Sequence, residues 1–174
     1  MKKILMFALP LVVFVSSHLY ATDMHFEPYV GSAEFQRLKS LAGTWRGTEV
    51  MGQETKEAAA EYSVTSNGSA VVEKLFPGTP NEMVTVYYET SGRLAMTHYC
   101  AIGNQPQMNL VSANDQELKF DFSPANQIDP AKEMHMHALT LSFEGGDKLV
   151  QHWMMYQNGA EGGSTVITLT RVQQ

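Results

Sequence analysis

Histidine, cysteine and methionine side chains recur in three short stretches of the sequence. The stretches are MTHYC at 96–100, MHMH at 134–137 and HWMM at 152–155. An imidazole nitrogen accepts or donates a hydrogen bond or ligates a metal, whereas thioethers and thiolates are soft donors that select Cu(I). Two kinds of site follow from these residue types: a few polar anchors in an apolar pocket, or a transition-metal site.

Alternation along the predicted strands indicates which of these side chains point inward, because residues i and i+2 of a strand share a face. In each of three strands, 93–101, 116–122 and 134–143, one face is largely apolar, and this face carries the histidines of the first and third strands. We therefore predict an interior, ligand-binding set formed by Met96, His98, Cys100, Phe120, His135 and His137.

Two other interpretations of the same residues remain open. In a metal site, the ligands would come from His98, His135, His137 and His152. Met134 and Met136 fall on the face opposite their neighbouring histidines, whereas Met154 shares a face with His152. Alternatively, the histidines are hydrogen-bonded core or surface residues, methionine is core filler and the cysteine is a small buried apolar side chain.

The chain must position these residues almost entirely with strands. Residues 32–41 (SAEFQRLKSL) have helical spacing, with Ser32 as N-cap and Gly43 just beyond the end. After them, period-two alternation is broken by turn residues at short intervals, which is typical of all-β domains. We predict strands at 43–50, 57–65, 70–76, 82–90, 93–101, 107–113, 116–122, 134–143, 148–157 and 163–172. The short connections predict an antiparallel meander closed into a barrel of about 8–10 strands.

One connection is longer than the others. Residues 123–133 (SPANQIDPAKE) contain two prolines and show no strand pattern. Loops of this length are either lids over binding sites or surface excursions. The first alternative would place the loop over the pair His135 and His137.

The first residues predict export. MKKILMFALPLVVFVSSHLYA has a basic start, a short apolar run and a cleavage context ending at Ala21, so residues 1–21 are predicted to be a signal peptide. Residues 22–31 are predicted to be a flexible arm and 32–174 a single domain. The apolar run is shorter than the about 20 residues that a bilayer requires, so we expect no membrane span in the mature chain.

The net charge argues against a nucleic-acid partner, and the cysteine content argues against an internal disulfide. The chain carries 12 Lys and Arg against 18 Asp and Glu, a formal net charge of −6, and removal of Lys2 and Lys3 with the leader makes it more acidic. Nucleic acid requires a basic footprint, so we expect no such partner. Cys100 is the single cysteine, which excludes an internal disulfide.

Gly43-Thr44-Trp45, after a short helix and at the start of the first strand, resembles the entry signature of the calycin barrels, which include the lipocalins. In lipocalins an arginine late in the last strand lies over that tryptophan, and Arg171 in VITLTRVQQ stands at the matching place. The resemblance implies that Gly43, Trp45 and Arg171 close the base of a barrel. The stretches FQRLKSLAGTWRGT, LFPGTPNEMVTVYY and THYCAIGNQPQM also resemble uncharacterised bacterial calycin-like domains, which implies a fold and no activity.

Ten predicted strands resemble the fatty-acid-binding and nitrobindin-like branches of these barrels. The nitrobindin-like branch implies a haem held by a histidine near the chain end, but GGSTVITLTRV contains no histidine. We therefore predict no cofactor, with haem or a transition metal as alternatives. No Gly-x-Ser-x-Gly or His-Glu-x-x-His motif occurs, and the strand carboxylates are predicted to be solvated: Glu61, Glu73, Glu82 and Asp121.

The sequence thus predicts an exported, periplasmic or secreted barrel that binds a small, largely apolar or amphipathic molecule without turnover. One alternative is a periplasmic copper or zinc protein that uses histidine and methionine. The other is a barrel filled by its own side chains that serves as an interaction module. The ligand and the oligomeric state are left open.

Overall fold

The computed structural model describes residues 26–173, and these form one short α-helix followed by ten antiparallel strands. Helix α1 spans Ala33–Lys39, and a 3-10 turn lies at Ser66–Gly68. The strands are β1 Gly43–Met51, β2 Glu54–Thr65, β3 Ala70–Leu75, β4 Met83–Thr90, β5 Arg93–Tyr99, β6 Gln107–Ala113, β7 Glu117–Phe122, β8 His135–Glu144, β9 Lys148–Gln157 and β10 Ala160–Arg171. The predicted all-β fold, with a helix before a closed meander, is confirmed.

Each strand pairs with its neighbour in the chain, and pairing of β1 with β10 closes the barrel. The closing register runs from Trp45 opposite Arg171 to Met51 opposite Thr165. Since consecutive strands run in opposite directions, their ends alternate between two rims. Helix α1 and the start of β1 lie at one rim, which we call the base. The loops that follow β3, β5 and β7 lie at the other, which we call the open end.

The interior is filled mainly by side chains along most of its length. On β7 the inward residues Leu118 and Phe120 are buried and alternate with the exposed Lys119 and Asp121. Met96 and Phe120 are 0% and 1% exposed and belong to this apolar core. A small barrel has an interior just wide enough to be filled by side chains, which is the situation here.

The segment before α1 is held by specific contacts from residue 26 onward. The Tyr29 amide donates to the Asn67 carbonyl at 2.8 Å, and its hydroxyl donates to Glu89 Oε2 at 2.6 Å. Within residues 26–173 no helix is long and apolar enough to cross a membrane. The predicted signal peptide, 1–21, and its cleavage after Ala21 lie outside the described residues.

Candidate functional site

A polar network lies in the middle of the barrel, around a carboxylate that we predicted to be solvated. Glu73 is 0% exposed, and the prediction is wrong because Glu73 shares its strand face with the buried Val71 and Leu75. The carboxylate accepts hydrogen bonds from the Tyr62 hydroxyl at 2.8 Å and the Tyr87 hydroxyl at 2.9 Å. A third bond comes from Gln151 Nε2, whose Oε1 in turn accepts from Trp153 Nε1 at 2.9 Å.

Burial raises the pKa of Glu73 above its ordinary value of 4.5, and the hydrogen bonds from Tyr62, Gln151 and Tyr87 oppose that rise. The folded chain therefore binds the proton more tightly than the unfolded chain does. This contribution to stability is fully present below pH 4.5 and is lost as pH rises through the higher folded pKa.

Glu73→Gln is accordingly expected to change the pH dependence of stability. The variant stays neutral at every pH, so its stability relative to the wild type should improve as pH rises from acid to neutral. The measurement is the free energy of unfolding in urea across that range for both proteins. Glu61→Gln, on the exposed face of β2, controls for loss of one negative charge. A difference between Glu73→Gln and wild type that is constant with pH contradicts the prediction.

His98 extends this network toward the open end. Its Nδ1 lies 2.9 Å from Thr85 Oγ1, and in the Nδ1–H tautomer it donates to that hydroxyl oxygen. Burial lowers the pKa of His98 to about 4, so the ring is neutral at physiological pH. The Nε2 atom is then an unprotonated acceptor.

His98 Nε2 is buried and has no hydrogen-bond partner among the described residues. The His98 ring lines an inner cavity of about 30 Å³ near the open end. The lining residues of the inner cavity are Glu49, Leu75, Met83, His98, Met136, Trp153, Thr165 and Ile167. Unsatisfied buried polar atoms are few in native proteins, so this nitrogen marks a position where a partner is expected.

A larger cleft adjoins the inner cavity at the open end and shares Met136, Trp153 and Thr165 as walls. We call it the mouth cleft; its volume is about 410 Å³. Its other lining residues are Met51, Gly52, Met155, Gly162, Gly163 and Ser164. Residues 123–133 line neither space, and the predicted contact of this loop is instead with His135, whose Nδ1 lies 2.7 Å from the Glu133 carbonyl oxygen.

His135 and His137 lie on the opposite side of the barrel wall from these spaces. A β-bulge occurs between Met136 and Ala138, and the register pairs His135 with Tyr156. Tyr156 belongs to the face of β9 opposite the buried Gln151 and Trp153. His135 is 0% exposed, so its predicted burial is confirmed, but the bulge interrupts the alternation that predicted both side chains on the inward face of β8.

These two histidines form an aromatic cluster with Tyr156 and Phe122, in which His135 is buried and His137 is partly exposed. His137 stacks on Tyr156 and Phe122 at centroid distances of 3.7 and 5.2 Å. His135 Nδ1 lies 2.7 Å from the Glu133 carbonyl, so it carries a proton, and Nε2 accepts from His137 Nδ1 at 2.9 Å. Both nitrogens of His135 thus have partners, and His137 Nε2 lies 3.6 Å from Asp121 Oδ1.

The four histidines of the predicted metal set are not brought together. His137 and His152 line an open outer hollow of about 330 Å³, whereas His98 lies inside the barrel. No group of three or more histidine, cysteine or carboxylate side chains in residues 26–173 is placed to hold a metal ion. Cys100 is half-buried, and its Sγ lies 4.0 Å from Met83 Sδ.

Of the predicted interior set, His98 alone lines the inner cavity or the mouth cleft. Met83, Met136 and Trp153, which line the inner cavity with it, were not predicted. Trp153 carried a usable signal, since it shares its strand face with Leu149 and Gln151. Met136 carried none, because only the bulge turns it inward.

The base has the geometry of a capped barrel. Trp45 is 1% exposed, and its Nε1 donates to the Leu41 carbonyl at 2.8 Å. The Arg171 guanidinium carbon lies 4.3 Å from the ring centroid and its nitrogens donate to the carbonyls of Ala42 and Ser40. Gly43 takes a φ of +129°, and a Cβ there would lie 3.3 Å from Arg171 Nη1.

The residues of the interior do not fit a haem. The inward residues of β10 are Thr165, Ile167 and Leu169, none of which is an axial ligand. The one imidazole nitrogen that faces the interior without a partner among the described residues is His98 Nε2, and the space before it is about 30 Å³.

Comparison with known proteins identifies similar folds. No protein-family model and no curated protein matches the chain. The chain is similar in structure to a protein of unknown function from the DUF3598 family of Nostoc punctiforme, with 13% identity and a TM-score of 0.50, over 78% of this chain and 49% of that one. It spans about half the length of that protein. It is also similar to Rv2717c from M. tuberculosis, with 16% identity and a TM-score of 0.52, over 83% of this chain and 100% of that one. At such identities the similarity concerns the fold alone.

Proposed function

We propose that the protein is an exported, calycin-like barrel that binds a small, largely apolar molecule in the mouth cleft, without chemical turnover. The observation that carries the proposal is the cleft itself, a space of about 410 Å³ bordered by Trp153 and by Met51, Met136 and Met155. Ligand sites are typically concave and mostly apolar, with a few placed polar groups. Here the polar groups are Ser164 and Thr165 on β10.

The side chains of the cleft suit an apolar ligand of variable shape. Methionine is unbranched and polarizable, so a wall with three methionines adapts to its contents. Gly162 and Gly163 add no side chains to the space beside Met155; a Cβ on Gly163 would lie 3.8 Å from Met155 Cε. Affinity would come from burial of ligand surface, at about 25 cal/mol per Å² of apolar area.

The uncharged, apolar fluorescent probe N-phenyl-1-naphthylamine is expected to bind saturably, with one site per chain. Met155→Ala should raise its Kd by about 5- to 30-fold, which corresponds to about 1–2 kcal/mol of lost apolar contact. Met154→Ala is the matched control, because Met154 is the adjacent residue on the outer face of β9. Fluorescence titration measures both constants.

Equal effects of the two substitutions would place the probe elsewhere and contradict the site. Absence of saturable binding of the probe would contradict the proposed function and favour a filled barrel that acts as an interaction module. The copper or zinc alternative based on His135 and His137 receives no support from the geometry, since His98 and this pair lie on opposite faces of the wall.

A further inference from the structure

The inner cavity contains a Lewis base that the apolar ligand of the mouth cleft does not need. His98 is 1% exposed and lines the cavity, and its Nε2 has no hydrogen-bond partner among the described residues. Behind the ring, Nδ1 lies 2.9 Å from the Thr85 hydroxyl, which accepts from the Nδ1–H tautomer. Histidines that ligate metals almost always donate their other N–H in this way, which fixes the tautomer and the ring orientation.

The size and the lining of the cavity restrict what it accepts. A volume of about 30 Å³ has room for a single ion or one water molecule, since a water requires roughly 10–15 Å³ on this measure. Two of the lining residues, Met83 and Met136, carry thioether sulfurs. One imidazole and two thioethers around a space of this size form a donor set of the kind that soft metal ions prefer.

We propose that the inner cavity is a binding site for Cu(I), ligated by His98 Nε2 and the sulfur atoms of Met83 and Met136. This site is distinct from the mouth cleft and goes beyond the proposed function. The ion and the apolar ligand would occupy adjacent spaces that share the walls Met136, Trp153 and Thr165.

Charge and donor type favour a soft monovalent ion over Zn²⁺. The three ligands are neutral, and Glu49 is the one carboxylate that lines the cavity. A single negative charge balances Cu(I) but leaves a divalent ion uncompensated in a buried site, which is costly. Structural zinc sites use cysteine, histidine or carboxylate ligands, and residues 26–173 contain no cluster of three such groups that could hold a metal.

The test is anaerobic transfer of Cu(I) from its bicinchoninate complex to the protein, in the presence of ascorbate. A Cys100→Ser background removes the half-buried thiol, which would bind Cu(I) on its own account. We expect one Cu(I) per chain, with a loss of affinity of about 100-fold in His98→Leu and about 10-fold in Met83→Leu or Met136→Leu. Met108→Leu, a buried methionine outside the cavity, should leave the affinity unchanged.

A second measurement reports the ligands directly. With [13C-methyl]methionine, one equivalent of Ag(I), a redox-inert substitute, should shift the Met83 and Met136 methyl signals and leave Met108 unmoved. The thermal unfolding of each variant shows that it is folded. Affinity that is the same in His98→Leu as in its parent, or failure of the methyl signals to shift, overturns the proposal and assigns water to the cavity. Probe binding that survives in His98→Leu separates this outcome from failure of the mouth cleft.

Discussion

Replacement of Gly47 by alanine is expected to lower the free energy of unfolding strongly. A Cβ at Gly47 would lie 1.8 Å from the Thr168 carbonyl oxygen and 2.8 Å from its carbonyl carbon. Both atoms are backbone, so no side-chain movement relieves the overlap. The strands that must separate are β1 and β10, whose pairing closes the barrel.

The expected loss exceeds about 4 kcal/mol, a size reserved for a few mechanisms that include backbone strain and overpacking. Domains of this size are stable by only about 5–15 kcal/mol, so the variant should be partly or wholly unfolded at 25 °C. Urea denaturation followed by circular dichroism measures the loss. Gly146→Ala is the control, since a Cβ there meets nothing within 4 Å. Equal stabilities for the two variants would show that β1 and β10 are not held at the distance described.

Trp45→Ala is expected to lower the free energy of unfolding by about 3–5 kcal/mol, the usual cost of truncating a fully buried large aromatic residue. The substitution removes the ring that packs at 6.4 Å from Tyr62, the bond to the Leu41 carbonyl and the surface under the Arg171 guanidinium. The base of the barrel would lose its central side chain, and the segment between α1 and β1 would lose its bond to the indole.

Two further substitutions separate the contributions to this loss of unfolding free energy. Trp45→Phe keeps much of the apolar surface but removes the indole N–H, so it should cost less than the alanine variant. Arg171→Met keeps the length of the side chain but removes the cation–π contact, worth about 0.5–2 kcal/mol, and the donors to Ala42 and Ser40. Unfolding in urea measures all three. A near-zero effect of Trp45→Ala would be incompatible with a buried barrel base.

Local sequence patterns were sufficient to predict the strands and their order. Period-two alternation and the glycine-containing turns depend on residues close in sequence, so the meander and most element bounds could be predicted without a structure. The predicted helix, 32–41, is longer than the observed Ala33–Lys39, because its last residues turn toward Gly43 instead of continuing the helix. Ser32 is the N-cap, with its side chain accepting from the Phe35 amide at 3.1 Å.

The candidate site depended on facts that no local pattern carries. The bulge between Met136 and Ala138 shifts the alternation of β8, which places His135 opposite Tyr156 and Met136 opposite Met155. A bulge is one extra residue in a ladder, and whether it occurs depends on the partner strands, here β7 and β9. The face of each side chain before Ala138 was therefore decided by tertiary pairing.

The position of Glu73 likewise depended on the tertiary structure and not on the local sequence. By itself a strand glutamate between Val72 and Lys74 is most simply placed in water, because an unpaired buried carboxylate is costly. Its burial becomes acceptable only through Tyr62, Tyr87 and Gln151, which come from three other strands. The sequence alone determined the strands and their order, since these follow from short-range alternation and turn chemistry, and its resemblance to the calycin entry signature implied the residues at the base. The tertiary structure alone decided which side chains meet at the open end, because the closure of β1 on β10 and the bulge in β8 bring together residues far apart in the chain.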